Sequence, residues 1–146
     1  MDSFHPQQEC INLENIQFFS NFDSGNLCKV EKVGNNQYEI QISPDAACAC
    51  LNSYKVWFYF GIKGLKKGTT LRLSIINLSY LKAFSSPSYR PVWQCLPSQS
   101  EWQRIQGETL YEQQYLSRYK YTFLSEISIQ TVCLIKYNNL FAKLLK

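Results

Sequence analysis

Six cysteines, one histidine and a short lysine cluster are the residues from which this chain could build chemistry. Cys48 and Cys50 form a C-x-C pair, while Cys10, Cys28, Cys95 and Cys133 stand isolated along the sequence. A structural zinc takes four ligands, usually as two spaced pairs, and only one such pair is present. His5, the single histidine, lies in the polar stretch MDSFHPQQEC, so Cys–His and Ser–His nucleophile pairs lack support. No H-x-x-E, H-E-x-x-H, G-x-S-x-G or glycine-rich phosphate loop occurs. Asp23, Asp45, Glu101 and Glu108 could pair as acid and base, but their spacing says nothing about their separation. The residues point to a chain that is not an enzyme and holds no metal or cofactor.

The lysines are the remaining candidates. Lys63, Lys66 and Lys67 fall in one glycine-bounded stretch, GIKGLKKG, with Arg72 just beyond it. Several cations on one loop would attract an acidic partner by screened electrostatics, although lysines are also ordinary solvated loop residues. The net charge of +4 is mild and the basic residues are dispersed, which argues against a nucleic-acid binder. No stretch approaches the roughly 18 apolar residues that span a bilayer, and the N-terminus lacks the basic start and apolar run of a signal peptide. The expectation is a cytoplasmic chain, without membrane insertion, whose six cysteines are reduced and mostly buried or partly buried.

A scaffold must position these residues. At 146 residues, with 45% hydrophobic and 18% charged residues, the chain suits one domain with a real core. Ten tyrosines, nine phenylalanines and many β-branched residues favour strands. Residues 1–10 read as a polar tail and 11–137 as the domain. IQFFSNF predicts a first strand, and DSGN at 23–26 a turn in which Gly25 takes positive φ. LCKVEKV leads to a second turn at GNN. QYEIQI alternates, placing Tyr38, Ile40 and Ile42 on one face of an antiparallel strand.

In KVWFYFGI, Trp57, Phe58, Tyr59 and Phe60 adjoin, as in a central strand packed on both sides, and both alternating pairs are expected to be largely buried. KGLKKG and TTLRLSIINL then predict a loop and a returning strand, so that the aromatics form one arm of a hairpin. A Ser- and Pro-rich excursion follows, with short strands at PVWQCL and EWQRIQG. YEQQY could start helically, whereas YKYTFLSEISI and QTVCLIKY read as strands. Leu140, Phe141, Leu144 and Leu145 recur at helical spacing and predict a short C-terminal helix over 138–146. Seven to nine strands and almost no helix make an all-β antiparallel sandwich, with a closed barrel as the rival.

FDSGNL (22–27), YEIQISPDA (38–46), VWFYFGIKGLKKGTTLRLSIINL (56–78) and YKYTFLSEI (119–127) resemble, in order and spacing, the N-terminal domain of cytosolic carboxypeptidases. The likeness spans roughly residues 18–137, and FDSGNL together with WFYF…G…IIN is its most specific part. It implies an antiparallel β-sandwich that packs against a zinc carboxypeptidase domain acting on the glutamates of tubulin and related acidic proteins. The family's catalytic residues lie in that second domain. CLIKYNNLF stands where the family passes into it, and the zinc ligands and catalytic glutamate have no counterpart here. Beginning at Met1 and closing on an amphipathic segment, the chain reads as a short protein that kept the sandwich, with an excised domain as the alternative.

Two functions follow from that resemblance. One is a non-catalytic structural or adaptor module in a larger assembly, with microtubules, the cytoskeleton or the cilium axoneme as its setting and tubulin or axonemal proteins as partners. Lys63, Lys66, Lys67 and Arg72 would then face the acidic partner. The other is a regulatory or folding half that works with a carboxypeptidase catalytic domain.

Overall fold

The structure, a computed structural model, describes residues 10–43, 55–66, 68–79, 82–86, 90–96, 99–115, 118–127 and 132–137. Among these the chain forms eleven strands: β1 (Ile11–Leu13), β2 (Ile16–Phe19), β3 (Leu27–Gly34), β4 (Gln37–Ile42), β5 (Phe58–Lys63), β6 (Thr69–Leu78), β7 (Val92–Leu96), β8 (Gln99–Arg104), β9 (Thr109–Tyr115), β10 (Arg118–Ile127) and β11 (Val132–Tyr137). One 3-10 turn at Lys82–Ser85 interrupts the excursion before β7. The strands make a six-stranded sheet, β1-β2-β5-β11-β7-β8, and a five-stranded sheet, β3-β4-β6-β10-β9. All-β sandwich architecture is what the alternation predicts, with more strands than the seven to nine expected because β1 and β9 carry little pattern of their own.

Alternation builds the core. β5 turns Phe58, Phe60 and Ile62 inward, β6 turns Leu71, Leu73 and Ile75, and β10 turns Tyr121 and Phe123. Across the gap between the sheets Phe58 stacks on Phe123, with centroids 5.7 Å apart, and Phe18 meets Tyr38 at 5.1 Å. Tyr38, Ile40 and Ile42 of β4 are buried while Glu39 and Gln41 are only partly covered, as the sequence pattern requires. Phe84, from the 3-10 turn, fills the space beside Tyr111 and Tyr121.

Several expectations need correction. β5 and β6 are not a hairpin: β5 pairs with β2 and β11 in one sheet, while β6 pairs with β4 and β10 in the other. The linker between them crosses the end of the sandwich, plugged by buried Leu65, with positive φ at Gly64 and Gly68. Both strands have an apolar face, and each satisfies it from its own side of the core. β4 is antiparallel to β3 but parallel to β6. The 109–115 segment is strand, not helix, because Leu110 to Tyr115 ladder onto β10. Positive φ in the DSGN turn falls on Ser24. Gly25 is needed for a different reason: a Cβ there would strike the carbonyl of Ser20. Phe58 and Phe60 are fully buried, but Trp57 and Tyr59 only partly. The polar tail through residue 9 and the 138–146 helix lie outside the described residues.

The thiol expectation also fails at one pair. Cys95 on β7 and Cys133 on β11 are ladder partners and form a disulfide, with Cα atoms 4.2 Å apart. Their separation of 38 residues in sequence hid a pairing that only strand order creates. Cys10 and Cys28 are not disulfide-bonded, and Cys48 and Cys50 lie outside the described residues.

Two asparagines stand in for strand backbone, one between the sheets and one within a sheet. The Asn26 side-chain amide donates to the Trp57 carbonyl (3.0 Å), and its Oδ1 accepts the Tyr59 N–H (2.9 Å). Its backbone N–H donates to the Tyr59 carbonyl and its carbonyl accepts from Ser43. A residue leading into the five-stranded sheet thus supplies ladder bonds to β5 of the six-stranded one. Asn77 does the same within the five-stranded sheet: its side chain accepts the Ile42 N–H and donates to the Ile42 carbonyl, both at 2.9 Å. The β4–β6 ladder ends at Ile40 and Ile75, and Asn77 extends it by one step.

Asn26→Ala leaves the partly buried Trp57 carbonyl and Tyr59 N–H without this partner, which costs about 1–3 kcal/mol of stability, readable by urea denaturation. Burial pushes the Tyr121 phenol up to about 12, against the opposing pull of the Thr109 hydroxyl and the Arg90 charge. The unfolded tyrosine ionises near 10, so this stability is complete below about pH 10 and is lost as pH rises through the folded value. Tyr121→Phe should flatten the fall in denaturation midpoint between about pH 10 and 12.

Candidate functional site: an aromatic outer face

The outer faces of the two sheets differ in kind. On the five-stranded sheet, Lys29, Glu31, Glu39, Arg72, Lys120 and Glu112 mix both charges, with ion pairs from Lys29 to Glu31 (2.7 Å) and Lys120 to Glu39 (3.8 Å). Ser74 and Thr122 share a hydroxyl hydrogen bond of 2.9 Å at its centre. Ser74 and Thr122 are buried there, and Leu110, opposite Thr122, is exposed, so this face mixes ion pairs with an apolar side chain.

On the six-stranded sheet the outward positions hold rings. β5 alternation that sends Phe58 and Phe60 inward turns Tyr59 out, and β11 alternation turns out Leu134 and Lys136 opposite buried Cys133 and Ile135. Phe19 of β2 meets Phe22 (centroids 5.7 Å apart), Phe22 meets Tyr59 (4.7 Å), and Tyr59 meets Trp102 of β8 (6.0 Å). Ammonium groups sit over this belt: Lys63 Nζ is 4.7 Å from the Phe19 centroid, and Lys136 Nζ is 5.1 Å from Tyr59 and 4.2 Å from Trp102. The belt therefore draws on β2, β5, β11 and β8, with exposed Leu96 beyond it at the end of β7. Gly61 lets it form, because a Cβ there would strike the Phe19 ring.

Partial burial acts on the polar atoms of the belt. It raises the Tyr59 phenol and lowers the Lys136 ammonium, in each case by disfavouring the charged form. Cation–π attraction opposes the second effect and is worth roughly 0.5–2 kcal/mol depending on desolvation. The belt presents apolar ring area with ammonium groups over it.

The sequence-stated cations divide. Lys63 closes β5 and lies on the belt, and Lys66 is exposed in the linker, where its carbonyl accepts from Thr69. Arg72 is exposed on β6, on the outer face of the opposite sheet. Lys67 lies outside the described residues. The structure does not gather Lys63 and Arg72 into one patch. Phe22, Trp102 and Lys136 were not singled out by sequence reasoning. Alternation along CLIKY is the local signal that turns Lys136 away from buried Cys133 and Ile135, but only strand order brings it to Tyr59 and Trp102. Among the described residues no three His, Cys, Asp or Glu side chains converge as a metal site, and no helix is long and apolar enough to cross a membrane.

A six-stranded and a five-stranded sheet packed over an aromatic core define an all-β sandwich domain by class. Its family is the one described as "Cytosolic carboxypeptidase N-terminal domain", which matches residues 18–131, and the chain belongs to it. Among similar proteins, cytosolic carboxypeptidase 1 of Gallus gallus is 33% identical over 107 residues, 70% of this chain and 8% of that protein. Cytosolic carboxypeptidase 6 of Caenorhabditis elegans is 34% identical over 98 residues, 66% of this chain and 20% of that protein. The chain thus spans a small fraction of the length of these relatives, within the region of their N-terminal domain. In fold it is similar to a metallo-carboxypeptidase from Pseudomonas aeruginosa, solved with (2-guanidinoethylmercapto)succinic acid, with a TM-score of 0.56 at 19% identity, covering 88% of this chain and 32% of that one.

Gly61→Val should push the Phe19 ring off β5 and cost about 1–3 kcal/mol, measured as a lower denaturation midpoint.

Proposed function

We propose that this chain is a non-catalytic docking domain whose aromatic outer face seats against a metallocarboxypeptidase catalytic domain, as its regulatory or folding half. The observation that carries this reading is the belt of Phe19, Phe22, Tyr59 and Trp102 on the outside of the six-stranded sheet. Phe22, Tyr59 and Trp102 are half-buried beside the already covered Phe19, and such rings gain most when a second surface covers them. Family membership supplies the partner class, since the relatives are named carboxypeptidases and this region is a small part of each. Their naming also favours a cytoplasmic setting.

A second reading has its own observation. Lys63 and Lys66 project near the same end of the six-stranded sheet, with Lys67 next to them in sequence. That end would face an acidic protein surface, such as tubulin, if the domain serves as an adaptor on microtubules or in the cilium. Arg72, on the far sheet, would take no part in the same contact.

Mixing the purified chain with the catalytic domain of a cytosolic carboxypeptidase and measuring association by calorimetry separates these readings. Binding that weakens at least about tenfold with Tyr59→Glu and Trp102→Glu supports the docking domain. Equal binding by wild type and this double variant would remove the belt from the interface. Alone, the chain should release no glutamate from an acidic peptide. The adaptor reading predicts instead co-sedimentation with microtubules that is lost when Lys63, Lys66 and Lys67 are changed to Glu and weakens with added salt.

A further inference from the structure

The Cys95–Cys133 bond lies beneath the aromatic face, and its position suits a reversible role. The two residues are partners in the β7–β11 ladder, flanked by the pairs Leu134–Gln94, Ile135–Trp93 and Val132–Leu96. That ladder holds the strands side by side whether the sulfurs are joined or not. Both residues face the core, at 1% and 0% exposure. Among the described residues β8 pairs only with β7, and β7 joins the rest of the sheet through β11. The disulfide therefore fastens the edge pair that carries Trp102 to the strand that carries Lys136, the two sides of the closest cation–π contact on the belt.

We propose that Cys95 and Cys133 form a thiol–disulfide latch that sets how firmly the Trp102 edge is held against the Tyr59–Lys136 part of the docking face. The proposal rests on the docking reading and adds a control to it. In a glutathione-buffered cytoplasm, disulfides are typically transient and redox-sensing. A glutathione thiolate attacks one protein sulfur, forming a mixed disulfide and releasing the other cysteine as a thiolate. A second glutathione displaces the first. One protein disulfide and two glutathione thiols become two protein thiols and one glutathione disulfide, so the protein gains two electrons and two protons. Since neither sulfur reaches solvent in the closed fold, the attack requires β7 and β8 to peel from β11 at the sheet edge, a local opening rather than global unfolding.

The test equilibrates the full chain across a range of reduced-to-oxidised glutathione ratios and counts thiols by maleimide mass tagging. Hydrogen exchange over residues 92–104 and the thermal midpoint are then read at each ratio. The latch predicts two thiols appearing together, faster exchange over 92–104 in the reduced protein, and a thermal midpoint lower by roughly 5–15 °C. Cys95→Ser with Cys133→Ser should reproduce the reduced protein in oxidising buffer, and reduced wild type gives the same information if that variant folds poorly. Thiols that never join under oxidising conditions, or equal exchange over 92–104 in both states, would overturn the latch. Calorimetry with the catalytic domain is run on both forms: absence of binding by the oxidised form sinks the docking reading alone, because the exchange data stand without a partner.

Discussion

The sandwich depends on one side chain in the segment that joins β2 of one sheet to β3 of the other. Asn26 leads into β3, yet its amide and backbone complete hydrogen bonds to Trp57 and Tyr59 at the start of β5. Those bonds fix the phase of β5. With Tyr59 held by the Asn26 backbone and side chain, Phe58 and Phe60 must point into the core and Tyr59 must point away from it. A slip of one residue would exchange the faces and put two phenylalanines in water. The core stack with Phe123 and the outer contact with Trp102 are both set by that phase.

This also changes what the family motifs mean. FDSGNL and IIN look at first like the places to find chemistry, and the structure gives their polar residues mechanical work. Ser20 accepts the Leu27 N–H, Gly25 lets the turn pass under the Ser20 carbonyl, and Asn26 and Asn77 stand in for strand backbone. Such residues are hard to replace because a hydrophobic substitute satisfies no ladder group and a charged one must be desolvated.

The individual strands were legible because their signal is local. QYEIQI and TTLRLSIINL alternate cleanly and appear as β4 and β6 with the expected faces buried. Which sheet each strand joins was not legible. Two consecutive apolar strands with a glycine-bounded linker fit a hairpin as well as a crossing between sheets, and nothing local distinguishes them. The same limit hid the Cys95–Cys133 pairing and the meeting of Phe22, Tyr59, Lys136 and Trp102, residues drawn from strands and a turn far apart in sequence. The lysine loop was visible as a run of charge, but Arg72 could be separated from it only once β6 was known to lie in the opposite sheet.

The one parallel pairing among the described residues has a consequence for how the domain comes to be built. Because β4 and β6 run in the same direction side by side, the chain between them must travel the length of the sandwich, and it does so as β5, the second-sheet strand that carries the aromatic run. The five-stranded sheet has all its strands once β10 is made, whereas β5 in the six-stranded sheet needs β11, the last of the described strands. Contacts of such long sequence separation are gathered slowly, and a growing chain exposes its Phe58 and Phe60 until the final strand arrives. Completion of the six-stranded sheet thus waits on β11, late in the chain.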